Sequence, residues 1–395
     1  MNQQDRVSAS ALRPAALGRR RFGAGLAALL LAGQAPALRA QGAERIVLGQ
    51  SAALTGPSGE LGVQFRAGAM LVFDQVNAQG GVARRAIELR SLDDGYEPER
   101  CAENTRRLIA DDVFALFGYI GTPTSLAALP LFTQARVPYF APFTGAMALR
   151  RPLRRLIFHV RASYDDETEL MVRQLTHLGL NRIGVFHQDD TYGQAGLDGV
   201  TRALAARQLK PAITAKVQRN SVDVAGAVAQ MRQAWPEAIV QVSTYASCAA
   251  FVRAARKAGF GGVFYNVSFV GTQALADALG ADGAGVVVSQ VVPSPYSPTR
   301  QITREFHEAI KRGGGAVRPN YSSLEGYIAA RVLVEGLRGA SAQGGGRPTR
   351  EGLIAALEGM DASVGGFAVA FSGASHEGSR FVEMSMLTGD GRVRT

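Results

Sequence analysis

Four stretches combine hydroxyls, glycines and aromatic rings in a way that could grip a small acid. The first is Gly121-Thr122-Pro123-Thr124-Ser125, after the apolar run Ala115–Gly118. Thr122 suits a helix N-cap and Pro123 the first helical position, and amides at a helix start attract anions. An ordinary helix start with nothing bound accounts for the same residues. The second, Pro142-Phe143-Thr144-Gly145, again sets a proline, a hydroxyl and a glycine before a helix, so Thr144 and Gly145 offer a second set of donors to the same crevice. The third, Asp189-Asp190-Thr191-Tyr192-Gly193, presents Tyr192, whose ring can cover a ligand while its hydroxyl finds a polar partner. Asp189 and Asp190 either solvate that loop or cap the next helix. The fourth, Ser243-Thr244-Tyr245, brings Tyr245 as a second aromatic wall or as a core tyrosine.

Catalytic signatures are missing. No Gly-x-Gly-x-x-Gly follows a strand, and there is no phosphate-cradling loop ending in Gly-Lys-Ser/Thr, no Gly-x-Ser-x-Gly elbow and no His-Glu-x-x-His. The five histidines, His159, His177, His187, His307 and His376, never fall at ligand spacing, which argues against a histidine-built metal site. The expectation is a binding protein, with no catalytic residue, metal or cofactor.

The elements that must position these loops follow from the hydropathy pattern. The chain has 395 residues, 47% apolar and 19% charged, with 46 glycines in no fixed period, which excludes a fibre, a disordered chain or a disulfide scaffold. Short β-rich runs alternate with amphipathic stretches, the pattern of a parallel-sheet α/β fold. Strands are predicted at 46–50, 87–91, 115–118, 139–140, 182–186, 210–216, 239–242, 263–266 and 286–290. Helices are predicted at 61–79, 97–111, 125–135, 168–178, 193–207, 221–234, 247–258 and 349–357, with a final strand at 381–387. Pro293-Ser294-Pro295-Tyr296-Ser297-Pro298 reads as a crossover and Gly344 to Pro348 as a surface loop. In such sheets ligands sit beyond the carboxyl ends of the strands, where all four stretches fall.

The first forty residues read as an export signal. A basic start leads to an apolar run from Phe22 to Ala32, too short to span a bilayer, and Ala40 is a small residue at the expected cut. Arg19-Arg20-Arg21-Phe22 is twin-arginine-like. The formal charge is +10; six arginines and one aspartate lie in residues 1–40, so the remainder carries +5, too dilute to imply nucleic acid. Cys101 and Cys248 are expected to be free thiols.

From Ile46 onward the chain resembles the leucine/isoleucine/valine-binding group of periplasmic solute receptors. The likeness rests on Leu54-Thr55-Gly56-Pro57, on Asp74 to Val82 with its Asn77-Ala78-Gln79-Gly80-Gly81, on Leu92-Asp93-Asp94, on the threonine loop at Gly121, on Arg136-Val137-Pro138 and on Asp190-Thr191-Tyr192-Gly193. The resemblance implies two doubly wound parallel-sheet lobes joined by a three-crossing hinge, with lobe 1 at 45–163 and 294–373 and lobe 2 at 164–293 and 374–395. Crossings are implied near Ser163, Pro293 and Gly373. It implies that Gly121, Thr122, Thr144 and Gly145 hold a ligand carboxylate from lobe 1, that Tyr192 and Tyr245 close over it from lobe 2, and that Tyr321 faces the ligand's side chain. The partners implied are a small amino acid or carboxylate and an inner-membrane ABC permease, for a periplasmic monomer cleaved near Ala40. A sensory protein of the same fold is the alternative.

Two departures bear on the ligand. Relatives that bind α-amino acids place a glutamate where this chain has Ser268, so either Asp165, Asp166 or Asp189 substitutes for it, or the ligand carries no amine. Ile120 stands where some relatives have a bridging cysteine.

Overall fold

The computed structural model describes residues 45–234 and 236–395; the export signal expected at residues 1–40 lies outside them. In chain order, β1 (Ile46–Ala52), α1 (Gly59–Ala78), β2 (Ile87–Asp93), α2 (Pro98–Ala110), β3 (Ala115–Phe117), α3 (Thr122–Ala135), β4 (Tyr139–Phe140) and β5 (Ile157–Phe158) build a parallel sheet ordered β2-β1-β3-β4-β5. The chain then enters α4 (Tyr164–His177), β6 (Ile183–Gln188), α5 (Thr191–Ala205), β7 (Ile213–Val217), α6 (Ala225–Met231), β8 (Ala238–Val242), α7 (Tyr245–Lys257), β9 (Val263–Asn266), α8 (Thr272–Leu279) and β10 (Val287–Gln290). These strands form a second parallel sheet whose order, β7-β6-β8-β9-β10, repeats the first. The inner strands β3, β6 and β8 are buried on both faces and read as short apolar runs in the sequence.

After β10 the chain returns to the first sheet through α9 (Gln301–Arg312), α10 (Tyr321–Gln343) and α11 (Arg350–Glu358), then makes the hairpin β11 (Asp361–Val364) and β12 (Phe367–Ala370). It crosses again to add β13 (Glu383–Leu387) and β14 (Val393–Arg394) antiparallel at the edge of the second sheet. The first and third crossings run side by side: His159 donates to the His376 carbonyl (2.9 Å) and Gly378 donates to the His159 carbonyl (2.7 Å). Cys101 in α2 and Cys248 in α7 are buried and free.

Several boundaries move for local reasons. The helix expected at 221–234 starts only at Ala225, because the Ser221 hydroxyl accepts from the Asp223 amide (3.1 Å) and the Asp223 carboxylate from the Ala225 amide (3.3 Å), holding a turn. The strand expected at 210–216 starts at Ile213, beyond Pro211. Helix α3 is capped by Gly121, not Thr122, which places Thr122 first and Pro123 second in the helix.

Helix α10 is buried on almost all sides and packs directly on α1. Two glycines permit the approach: a Cβ on Gly68 would lie 1.8 Å from the Ser323 carbonyl oxygen, and one on Gly326 would lie 1.9 Å from that of Phe65. This contact sets the depth of α10 and of the Glu325 side chain beside it. Gly326→Ala should therefore cost about 3 kcal/mol or more of unfolding free energy, measured by urea titration, because backbone and not a flexible side chain must give way. A loss below about 0.5 kcal/mol would contradict the packing.

Candidate functional site

Both sheets reverse their order at the same place, between β1 and β3 in the first and between β6 and β8 in the second. Loops leaving strand ends at such a switch point diverge and open a crevice. Thr122 starts the helix that follows β3, and Tyr192 lies at the start of the helix that follows β6. The Thr122 and Thr144 hydroxyls lie 2.7 Å apart and are buried, and Thr144 also accepts from the Ala146 amide (3.2 Å). Gly121 has φ of 102° and packs against the Tyr96 ring, where a Cβ would come within 2.3 Å. Its amide donates to the Phe143 carbonyl (3.2 Å), so Gly121 shapes the loop and is not a free donor for an anion. Gly145 accepts from the Tyr164 amide (2.8 Å) and has no room for a side chain there, since its Cβ would lie 2.5 Å from that nitrogen.

A chain of rings joins the two halves. Tyr164 and Tyr192 have centroids 5.6 Å apart, Tyr192 and Phe269 4.6 Å, Phe269 and Phe143 5.6 Å, and Phe269 and Tyr96 5.8 Å. All five are buried. Asp190 places Tyr192 by capping α5, its carboxylate accepting from the amides of Tyr192 (2.9 Å) and Gly193 (3.2 Å). Among the described residues, the hydroxyls of Ser243 and Thr244 are buried without a hydrogen-bond partner.

Tyr245 and Tyr321 fall elsewhere. Tyr245 is half-buried and lines an outer cavity of about 320 Å³ at the cleft mouth, with Glu60, Leu61, Gly271, Asn320 and Ser322. Tyr321 packs edge-on against Tyr296 (5.8 Å) at the proline-rich crossing.

Ser268 belongs to a buried ionic cluster that sequence reasoning missed. Its amide and hydroxyl donate to Glu167 (2.7 and 3.0 Å), which also accepts from the Ser289 hydroxyl (2.5 Å). Arg161, 1% exposed, donates to the Ser268 hydroxyl. Its guanidinium lies 3.4 Å from Glu325, 3.9 Å from Glu167 and 4.5 Å above the centre of the Phe143 ring. Among the described residues, Arg161 Nη1 has no hydrogen-bond partner. Arg150 holds this crossing by donating to the carbonyls of Arg161 (3.1 Å) and Ala162 (3.2 Å). Burial pushes Glu325 up to about 7 against the pull of Arg161, and pushes Glu167 up against Arg161 and its serine donors. Burial alone would lower Arg161, but Glu325 and Glu167 outweigh it and keep it charged.

The three aspartates considered as substitutes for the absent acid are engaged elsewhere. Asp165 pairs with Arg202, Asp166 caps α4 through Ser163 and binds Arg380 (2.9 Å), and Asp189 pairs with Lys216 (2.9 Å). The acid beside Ser268 is instead Glu167. Its one legible signal is its place with Tyr164, Thr168 and Met171 on the buried face of α4.

The halves meet tightly. Arg219 reaches Glu97 (2.9 Å), Asn220 reaches Glu97 (2.7 Å) and the Gly95 carbonyl (3.1 Å), and Arg318 reaches Asp277 (2.7 Å).

A model of the periplasmic binding protein family matches residues 45–391. The crystal structure of a possible leucine/isoleucine/valine-binding protein from Rhodopirellula baltica is 34% identical, with a TM-score of 0.85 over 89% of this chain and 96% of that one. A substrate-binding periplasmic protein from Ralstonia solanacearum is 32% identical, with a TM-score of 0.82 over 88% and 99% of the two chains. Leu/Ile/Val-binding protein homolog 8 of Brucella abortus is 25% identical over 87% of this chain and 88% of its own length.

Glu325 faces Arg161, Glu167 and Arg150. Its carboxyl sits near 4.5 when unfolded and about 7 when folded, so between those values the folded state holds the extra proton. It then subtracts nothing below the lower value, progressively more through the window, and its full penalty above the upper one. Glu325→Gln should gain on the wild type in unfolding free energy by up to about 3 kcal/mol between pH 4.5 and 8. A difference that stays flat across that range would contradict a buried, titrating Glu325.

Proposed function

The chain belongs to the leucine/isoleucine/valine-binding group of periplasmic binding proteins, and from that premise we propose that it captures a small organic acid between two hinged lobes and delivers it to an inner-membrane ABC permease. The family is one of binding proteins, not enzymes, and its location is the periplasm. In this reading the lobes are residues 45–163 with 294–373 and residues 164–293 with 374–395, and the leader is removed near Ala40. The acid is either an amino acid of the branched-chain kind or a carboxylate without an amine.

The observation that carries the reading is the meeting of the Thr122–Thr144 hydroxyl pair, at the amino end of α3, with Tyr164 and Tyr192 from the opposite half. A carboxylate there gains hydroxyl donors and the first amides of α3, while the rings exclude water and strengthen each bond. The bonds that now join the halves across the rim, Arg219–Glu97 and Arg318–Asp277, are exposed or half-exposed and break at little cost, as opening on a hinge requires.

A thermal-shift screen of amino acids, aromatic acids and short aliphatic acids tests this. A ligand at a hundred times its Kd adds about 2.7 kcal/mol and raises Tm visibly; no shift with any of these acids would sink the reading. Thr122→Val, which removes one hydroxyl and keeps the shape, should weaken the best acid about tenfold or more with the fold retained by circular dichroism. Unchanged affinity would remove Thr122 from the site.

A further inference from the structure

We infer that Arg161 is the specificity-determining residue of this cleft and that the guest it selects is a carboxylate lacking an α-ammonium group. The inference rests on the receptor reading above and narrows its ligand class. Arg161 is a charged side chain withdrawn from water at the junction of the two halves, and its Nη1 has no hydrogen-bond partner among the described residues. A buried donor of a charged group left unpaired is costly, so a ligand acceptor at that point is strongly favoured. The Tyr164 hydroxyl, beside the Thr144 hydroxyl and the Arg161 charge, is a second donor at this place.

An ammonium group meets the opposite conditions. Glu167 is the acid nearest Ser268, yet it already accepts three hydrogen bonds, from the Ser268 amide, the Ser268 hydroxyl and the Ser289 hydroxyl. Glu325 is paired with Arg161. A second cation would share both acids with a guanidinium already in place and be repelled by it in a medium that screens poorly. The protein thus supplies from its own chain the cation that an α-amino acid would otherwise bring.

The charge balance agrees. One guanidinium faces two carboxylates, a net charge of −1, and burial raises Glu325 to about 7, so a proton taken up there offsets the charge of an incoming carboxylate and the cluster stays at −1. Arg150, the other cation facing Glu325, is paired with Glu377 (3.2 Å).

The test uses matched compounds and the purified protein. Leucine is compared with 4-methylpentanoate, and phenylalanine with 3-phenylpropanoate, by thermal shift and calorimetry. At least one amine-free acid should bind ten times or more tighter than its amino acid. Equal or tighter binding of the amino acids overturns the inference and leaves the receptor reading standing; silence from all four compounds counts against the receptor reading and takes the inference with it. The double variant Arg161→Gln/Glu325→Gln removes one charge of each sign, so the buried balance is kept. It should lose the amine-free acids by tenfold or more. If it folds and binds them unchanged, Arg161 does not select the guest; if it fails to fold, the comparison in the unaltered protein still decides.

Discussion

The structure depends on keeping one guanidinium charged away from water. Taking an arginine out of solvent costs several kcal/mol unless its partners are placed well. The partners of Arg161 come from three separated parts of the chain: Glu167 from the first turn of α4, Ser268 from the loop after β9, and Glu325 from α10. Two of these belong with the second sheet and one packs on the first, so the guanidinium has all its partners only when the halves meet. The same contact that stabilises Arg161 therefore fixes how α4 and α10 face each other across the crevice. Phe143, under the guanidinium, extends that constraint to the ring cluster.

Repetition of strand order explains why the proposed site has two similar halves. Each sheet splits its loops at the same step, so each contributes a helix start and small or hydroxyl residues to the crevice. Glycines set how closely the pieces come together. Gly145 lets Tyr164 lie on the loop after β4, and Gly193 lets α5 sit against the Gln188 carbonyl, where a Cβ would come within 1.8 Å. A larger residue at 145 would push Tyr164 off that loop, and one at 193 would displace the start of α5 and Tyr192 with it.

Much of the fold was legible and less of the site. Every strand of the two sheets except β5 and β14 was visible as a short β-rich run, and α1 through its regular spacing of Phe65, Ala69, Val72 and Val76. Helix α10 gave no amphipathic signal because it is buried on nearly every side, and its close contact with α1 depends on glycines that read as breakers. Strand β5 has two residues and follows the arginine-rich stretch 150–155, so no apolar run marks it. Thr122, Thr144 and Tyr192, which the structure places at the facing helix starts and loop, could be singled out because helix starts and turn residues carry local meaning. Arg161, Glu167, Glu325, Tyr96 and Phe269 were not, because what unites them is proximity across the crevice, and no spacing along the chain encodes that. Ser268 was noticed as a missing acid, but its consequence, a neighbouring Glu167 already paired by serines and arginine, becomes visible only in three dimensions.

The most direct measurement is a crystal structure of the protein grown with 3-phenylpropanoate. The carboxylate should lie within hydrogen-bonding reach of Arg161 Nη1, with the ring among Tyr192, Phe143 and Phe269. Density for the acid in the outer cavity beside Tyr245, or an Arg161 whose surroundings are untouched by the bound acid, would contradict the role given to the buried guanidinium.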